Sequence, residues 1–178
     1  MLPTAGSNNA VLTAVPGSAN GISTAAVINI TAAQLASYGS ISVNLNGAST
    51  VVINVTGNFV GHPNVLNAGS YQNNVIWNFV DATSVDFQGY GWAGTVLAPN
   101  AAVSTNNAIN GTVVAAGFTG QGELHNQPFA GDLAPLLSTT PPVTPPTDTA
   151  AVPEPASMAL LLAGLGGLLL AMRRREAA

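Results

Sequence analysis

Between residues 22 and 133 short apolar runs recur with polar residues set among their members: AVINI at 26–30, ISVNL at 41–45, VVINV at 51–55, VIWNFV at 75–80, VDF at 85–87 and TVLA at 95–98. A period of two puts the apolar members of a run on one face, and β-branched and aromatic side chains suit that pleated surface, so each run is predicted to be a strand. Asn, Gly and Ser separate the runs and supply the turns. One segment breaks the pattern. Thr31 and Gln34 stand as a capping box: the Thr31 hydroxyl is expected to accept from the Gln34 amide while the Gln34 side chain returns to the Thr31 amide. Gly39 is expected to stop this helix in the left-handed conformation, after two turns at most.

The pattern also repeats. GTVLA at 94–98 returns as GTVVA at 111–115, seventeen residues on. Coils of about that length with Asn and Gly turns bury their faces against one another, which is the logic of a β-solenoid. The fold class is therefore read as mainly β, a right-handed β-solenoid with one short helix. A β-sandwich with regularly spaced strands is the alternative. The solenoid predicts that the two GTV segments lie side by side as parallel strands, with Val96 against Val113 and with Thr95 aligned with Thr112, a regular hydroxyl row where that face is exposed.

The C-terminal third changes character. TTPPVTPPTDTAAVPEP at 139–155 is too rich in proline for helix or central strand and reads as an extended stalk. The uncharged run ASMALLLAGLGGLLLAM at 156–172 follows, long enough to span about 25 Å as a helix, and Arg173, Arg174 and Arg175 follow at once. This is a transmembrane helix by expectation, with the arginine tail on the cytoplasmic side and everything before Pro155 on the other. The predicted organisation is an irregular segment at 1–21, a β domain at 22–133, a stalk at 134–155, a transmembrane helix at 156–172 and a tail at 173–178.

Charge removes several functions. Only 6% of the residues are charged, lysine is absent, and the three arginines all sit in the tail. Nucleic-acid binding relies on lysine and arginine to displace phosphate counterions, so no nucleic-acid partner is expected. Without cysteine there is no thiolate catalysis, thiolate metal site or disulfide.

Candidate chemistry is thin. Glu123 and His125 would share a face of a strand and form a weak metal site with His62, the other histidine; a buried His-Glu hydrogen bond is the structural reading. Asp81 and Asp86 would serve as a glycosidase pair or ligate calcium, against their ordinary role as turn acids. GYGWAG at 89–94 matches G-x-G-x-x-G, but a strand-like run follows it instead of a helix, so it is read as a glycine turn and no cofactor is expected. Tyr90 and Trp92, flanked by those glycines, are candidate contacts for a sugar ring, whereas Tyr38, Tyr71 and Trp77 are read as packing.

The motif Val152, Pro153, Glu154, Pro155, the Leu/Gly/Ala-rich helix and the cluster Arg173, Arg174, Arg175 together resemble the PEP-CTERM sorting signal of Gram-negative bacteria. The resemblance implies export, an exosortase in the inner membrane as partner, removal of the tail, transient inner-membrane anchoring, and delivery to the cell surface or exopolysaccharide matrix. Residues 1–21 hold neither a basic stretch nor an apolar run of seven, so the start is expected to be internal and part of the domain missing. VINV at 52–55, VIWNF at 75–79 with Asp81 and Ala82, GTVLAPNA at 94–101, NGTVVA at 110–115, and GELH at 122–125 with Phe129 and Gly131 resemble the choice-of-anchor A domain over about 22–133. That likeness implies a β-helix-like fold on a bacterial surface protein. The expected function is noncatalytic adhesion or biofilm structure; a polysaccharide-active enzyme using Asp81, Asp86 or Glu123, and a glycan- or ice-binding module, are the alternatives.

Overall fold

The computed structural model describes residues 2–17, 24–61 and 63–137. The chain divides into two units, Met1–Thr139 and Thr140–Ala178, and all described residues belong to the first. The predicted stalk beyond residue 137, the sorting motif, the 156–172 span and the arginine tail lie outside them. Among the described residues no helix is long and apolar enough to cross a membrane.

The domain is mainly β, and each strand-like run in the sequence forms a strand. The strands are β1 (Ala10–Thr13), β2 (Ala25–Thr31), β3 (Ser40–Asn44), β4 (Thr50–Thr56), β5 (Phe59–Val60), β6 (Asn64–Val65), β7 (Val75–Phe79), β8 (Ser84–Asp86), β9 (Trp92–Ala93), β10 (Thr95–Thr105), β11 (Ile109–Asn110), β12 (Val113–Gly120) and β13 (Leu124–His125). They form three sheets. One runs β1-β3-β6, one runs β2-β4-β7-β10-β8-β5 with β12 on the free side of β10, and one runs β13-β11-β9.

Every ladder among the described residues is parallel. Hairpin-built sandwiches are antiparallel, so the sandwich alternative does not describe these pairings. The partners also climb in order. Ile28 pairs with Ile53, Ile53 with Trp77, Trp77 with Val96 and Val96 with Val113, steps of 25, 24, 19 and 17 residues. The expected neighbours Val96 and Val113 are therefore in register, but the spacing of seventeen holds only for the last step. Earlier steps are longer because their corners carry extra structure: α1 (Ala32–Ala36) between β2 and β3, and a 3-10 turn at Ala68–Ser70 before β7.

Alternation fills the interior. Ile28, Ile53, Trp77 and Val96 form one buried row, Phe59, Val85 and Val103 a second, and Trp92 with Ile109 a third. Phe59, Phe79, Phe87, Trp77 and Trp92 pack ring on ring where the rows meet, with centroids such as Trp77 and Trp92 only 4.9 Å apart. Trp77 Nε1 donates to the Ala93 carbonyl at 2.8 Å, which satisfies the indole without leaving the core.

The helix prediction is half right. Thr31 Oγ1 accepts from the Gln34 amide at 3.1 Å, but the Gln34 side chain donates to Tyr38 Oη and the Pro3 carbonyl and does not return to Thr31. Two part-buried acceptors hold that amide more firmly than an exposed helix terminus. Nor is Gly39 left-handed. Its lack of a side chain lets Asn8 approach, since a Cβ there would meet the Asn8 carbonyl oxygen at 3.2 Å. Two features were not anticipated: β1, inside the segment read as irregular, and a second short helix, α2 (Ala134–Leu137). β1 is half-buried, alternates over only four residues and is paired by β3, a signal too short to stand out.

Candidate functional site

At one corner the chain stacks three turns: residues 87–91 after β8, 106–108 after β10 and 121–123 after β12. Backbone bonds hold them together, Asn106 N to the Gln88 carbonyl at 2.7 Å and Gln121 N to the Thr105 carbonyl at 3.1 Å. Asn107 reinforces the stack, its Nδ2 donating to the Gly89 carbonyl and its Oδ1 accepting from the Ala108 amide. Close approach requires glycine here. A Cβ on Gly122 would stand 2.8 Å from the Asn107 carbonyl carbon and nearer still to its oxygen.

An open groove of about 230 Å³ runs between the last two turns, lined by Asn106, Asn107, Ala108, Gln121, Gly122 and Glu123. Its wall offers amides, one carboxylate and no cation, which is chemistry for hydroxyl-rich ligands and against anions. Tyr90 lies on the preceding turn and is 36% exposed. Trp92 does not join it. The indole is 1% exposed, facing Phe87 and Trp77 in the core, so the expected sugar contact by Trp92 is corrected: at the start of β9 it takes the inward position of the Ile109 row.

Glu123 and His125 do meet. His125 Nε2 lies 3.0 Å from Glu123 Oε2, and Nδ1 lies 2.8 Å from Asn110 Oδ1. Each ring nitrogen thus faces a side-chain oxygen, which fixes the orientation of the ring. The expectation of a buried pair is corrected. The side chains are 47% and 81% exposed because β13 is the outermost strand of its sheet and, among the described residues, no further strand pairs with it. His62 lies outside the described residues, and among those described no three His, Cys, Asp or Glu side chains converge as metal ligands would.

The other acids hold turns. Asp81 Oδ1 accepts from the Gly57 amide at 2.7 Å and Asp86 Oδ1 from the Gln88 amide at 2.8 Å. GYGWAG at 89–94 is indeed a turn followed by strand, with Gly94 at φ +105 between β9 and β10. Tyr38, Tyr71 and Trp77 are buried as read. Thr95 and Thr112 are aligned by the register of Val96 with Val113, but they make no exposed hydroxyl row, because Thr95 Oγ1 is buried.

A polar row that sequence reasoning missed lies on the outer face of β2, β4 and β7. Asn54 Nδ2 donates to Asn29 Oδ1 at 2.9 Å, and Asn78 Nδ2 to Asn54 Oδ1 at 2.8 Å. Exposed Thr31 and Thr56 pair beside it. Each Asn stands between two apolar residues of its strand, in INI, INV and WNF, which is the signal that could have found it.

Residues 3–126 match the family described as "Putative Ice-binding-like adhesive domain". The chain belongs to that adhesive-domain family. Residues 151–175 match the PEP-CTERM protein-sorting motif, as the tail sequence led us to expect. An adhesive-like domain joined to this signal makes the chain an exported surface protein, handled by an exosortase-type system. The family match takes in β1 and carries the adhesive description, not the choice-of-anchor A name. Searches of curated proteins and of solved structures returned no match.

Proposed function

We propose that the domain is a noncatalytic β-solenoid adhesin that binds a neutral polysaccharide of the extracellular matrix through the groove at 106–108 and 121–123. The observation that carries this reading is the groove's wall of amides with Tyr90 beside it, on a domain without lysine or arginine. Uncharged amides exchange hydrogen bonds with sugar hydroxyls, and an exposed tyrosine gives a ring face for stacking. Ladders among the described residues that are all parallel and climb by 15 to 31 residues support the solenoid. Turn bonds to Asp81 and Asp86 favour binding over glycoside hydrolysis.

Binding of the secreted protein to neutral exopolysaccharide, measured by calorimetry, tests the proposal. Tyr90→Ala and Gln121→Ala should each weaken it; undiminished binding in both overturns the groove. Release of reducing ends by the wild type would favour the enzyme reading.

The sorting signal supports a route through the inner membrane of a Gram-negative cell, with the tail removed near Glu154. Mass analysis of the surface fraction from an exosortase-bearing host decides this. Intact Arg173, Arg174 and Arg175 in that fraction would overturn removal.

The Asn29–Asn54–Asn78 row favours a second reading, in which the outer face of β2, β4 and β7 binds a repeating surface such as ice. Successive members stand about 4.8 Å apart, as parallel strands do. Inhibition of ice recrystallisation, lost on Asn54→Leu and kept on Tyr90→Ala, would favour it over the groove.

A further inference from the structure

The carboxylates among the described residues are Asp81, Asp86, Glu123 and Asp132. All but one hold the backbone. Asp81 Oδ1 accepts from the Gly57 amide, Asp86 Oδ1 from the Gln88 amide and Asp132 Oδ1 from the Ala134 amide. Glu123 accepts from no backbone amide among these residues. Its Oε2 lies 3.0 Å from His125 Nε2, and its Oε1 meets no described protein donor. A carboxylate accepts about four hydrogen bonds through its two oxygens, so most of the capacity of this exposed group is open to a ligand.

Glu123 is also the charged residue of the groove wall, next to Gly122 in the turn before β13. Its side chain is held from the neighbouring coil. Asn110 and His125 are register partners on β11 and β13, and Asn110 Oδ1 stands 2.8 Å from His125 Nδ1, so the ring is tied at both nitrogens. An untethered glutamate loses rotamer freedom when a ligand engages it. Here Asn110 and His125 set the carboxylate's orientation beforehand, which reduces that cost.

We infer that Glu123 is the specificity-determining residue of the groove and selects sugar rings carrying two free hydroxyls on adjacent carbons, with His125 as its positioning residue. This rests on the groove reading and names the glycan that fits it. The amides of Asn106 and Gln121 donate and accept alike, so they tolerate many polar groups. A carboxylate only accepts. Its side-by-side oxygens suit a pair of neighbouring O–H donors, and each bond to a charged acceptor is stronger than one to an amide. An ammonium sugar gains less here, because an ion pair this exposed is screened by water and salt and His125 already occupies Oε2.

Calorimetry of the full chain in mild detergent tests this with dextran and a mannan of the same linkage, whose rings keep adjacent hydroxyls, and with laminarin, whose internal rings keep no adjacent pair. Dextran or the mannan should bind, and laminarin should bind about tenfold more weakly or not at all. Periodate cleavage of the adjacent hydroxyls, followed by borohydride reduction, should abolish binding of the same polymer. Glu123→Gln should weaken binding by about tenfold. His125→Ala should weaken it in the wild type and add nothing in the Glu123→Gln background, since it acts through Glu123. Both side chains are exposed, so circular dichroism should be unchanged. Binding that survives periodate, laminarin bound as tightly as dextran and the mannan, undiminished binding by Glu123→Gln, a further loss from His125→Ala in that background, or tighter binding of a chitosan oligomer would each overturn the inference and leave the groove standing. Failure of the groove reads differently: binding then persists in both Tyr90→Ala and Gln121→Ala, or no glycan binds at all, and the inference falls with it.

Discussion

Replacing Tyr71 by phenylalanine should stabilise the domain. The ring is 1% exposed, and its hydroxyl is buried without a protein partner. A buried hydroxyl that finds no acceptor costs about 1–3 kcal/mol relative to water, while the void left by one oxygen costs under about 1 kcal/mol. The net gain expected for Tyr71→Phe is about 1 kcal/mol, or roughly 3 °C in Tm. Burial also pushes the Tyr71 phenol well above its ordinary value of 10.0. The phenol stays protonated in the folded state while the unfolded chain loses its proton above that value. Its contribution is therefore fully present below pH 10 and is lost as the pH rises toward the folded value. The slope is about 1.4 kcal/mol per pH unit. Phenylalanine has no such loss, so the gap between variant and wild type should widen above pH 10. Urea unfolding at pH 7, 9 and 10.5 measures both effects, and other tyrosines cancel in the difference. A variant less stable by more than about 1 kcal/mol at pH 7, or curves that stay parallel through pH 10.5, would refute the reasoning and mean that the hydroxyl is satisfied.

Gly111→Ala should cost about 2–3 kcal/mol by thermal unfolding, because the new Cβ would stand 2.7 Å from the Gly94 carbonyl carbon in the neighbouring strand connection. Asn54→Ala removes both hydrogen bonds of the asparagine row and should cost about 1–2 kcal/mol in urea. The double variant Glu123→Gln, His125→Asn should shift stability by less than about 1 kcal/mol, since the pair is exposed. A larger loss would mean that β13 is covered in solution.

The alternation in AVINI, VVINV and VIWNF determined which side chains share a face, and Thr31 marked where the helix begins, because both depend on neighbours within a few residues. The repeat of GTV marked Val96 and Val113 as partners, and the tail from Val152 to the arginines announced the sorting signal. Only the tertiary structure decided the rest. Tyr90 and Trp92 stand two apart between the same glycines, yet one reaches solvent and the other fills the core, since β9 begins at Trp92 and takes it inward over Phe87. Glu123 and His125 are exposed because β13 is the last strand of its sheet among the described residues, and Phe118 is half bare for the same reason on β12. Local pattern specifies the inward face of a strand. How deeply that face is buried depends on whether another strand follows, and this is a property of the whole chain path.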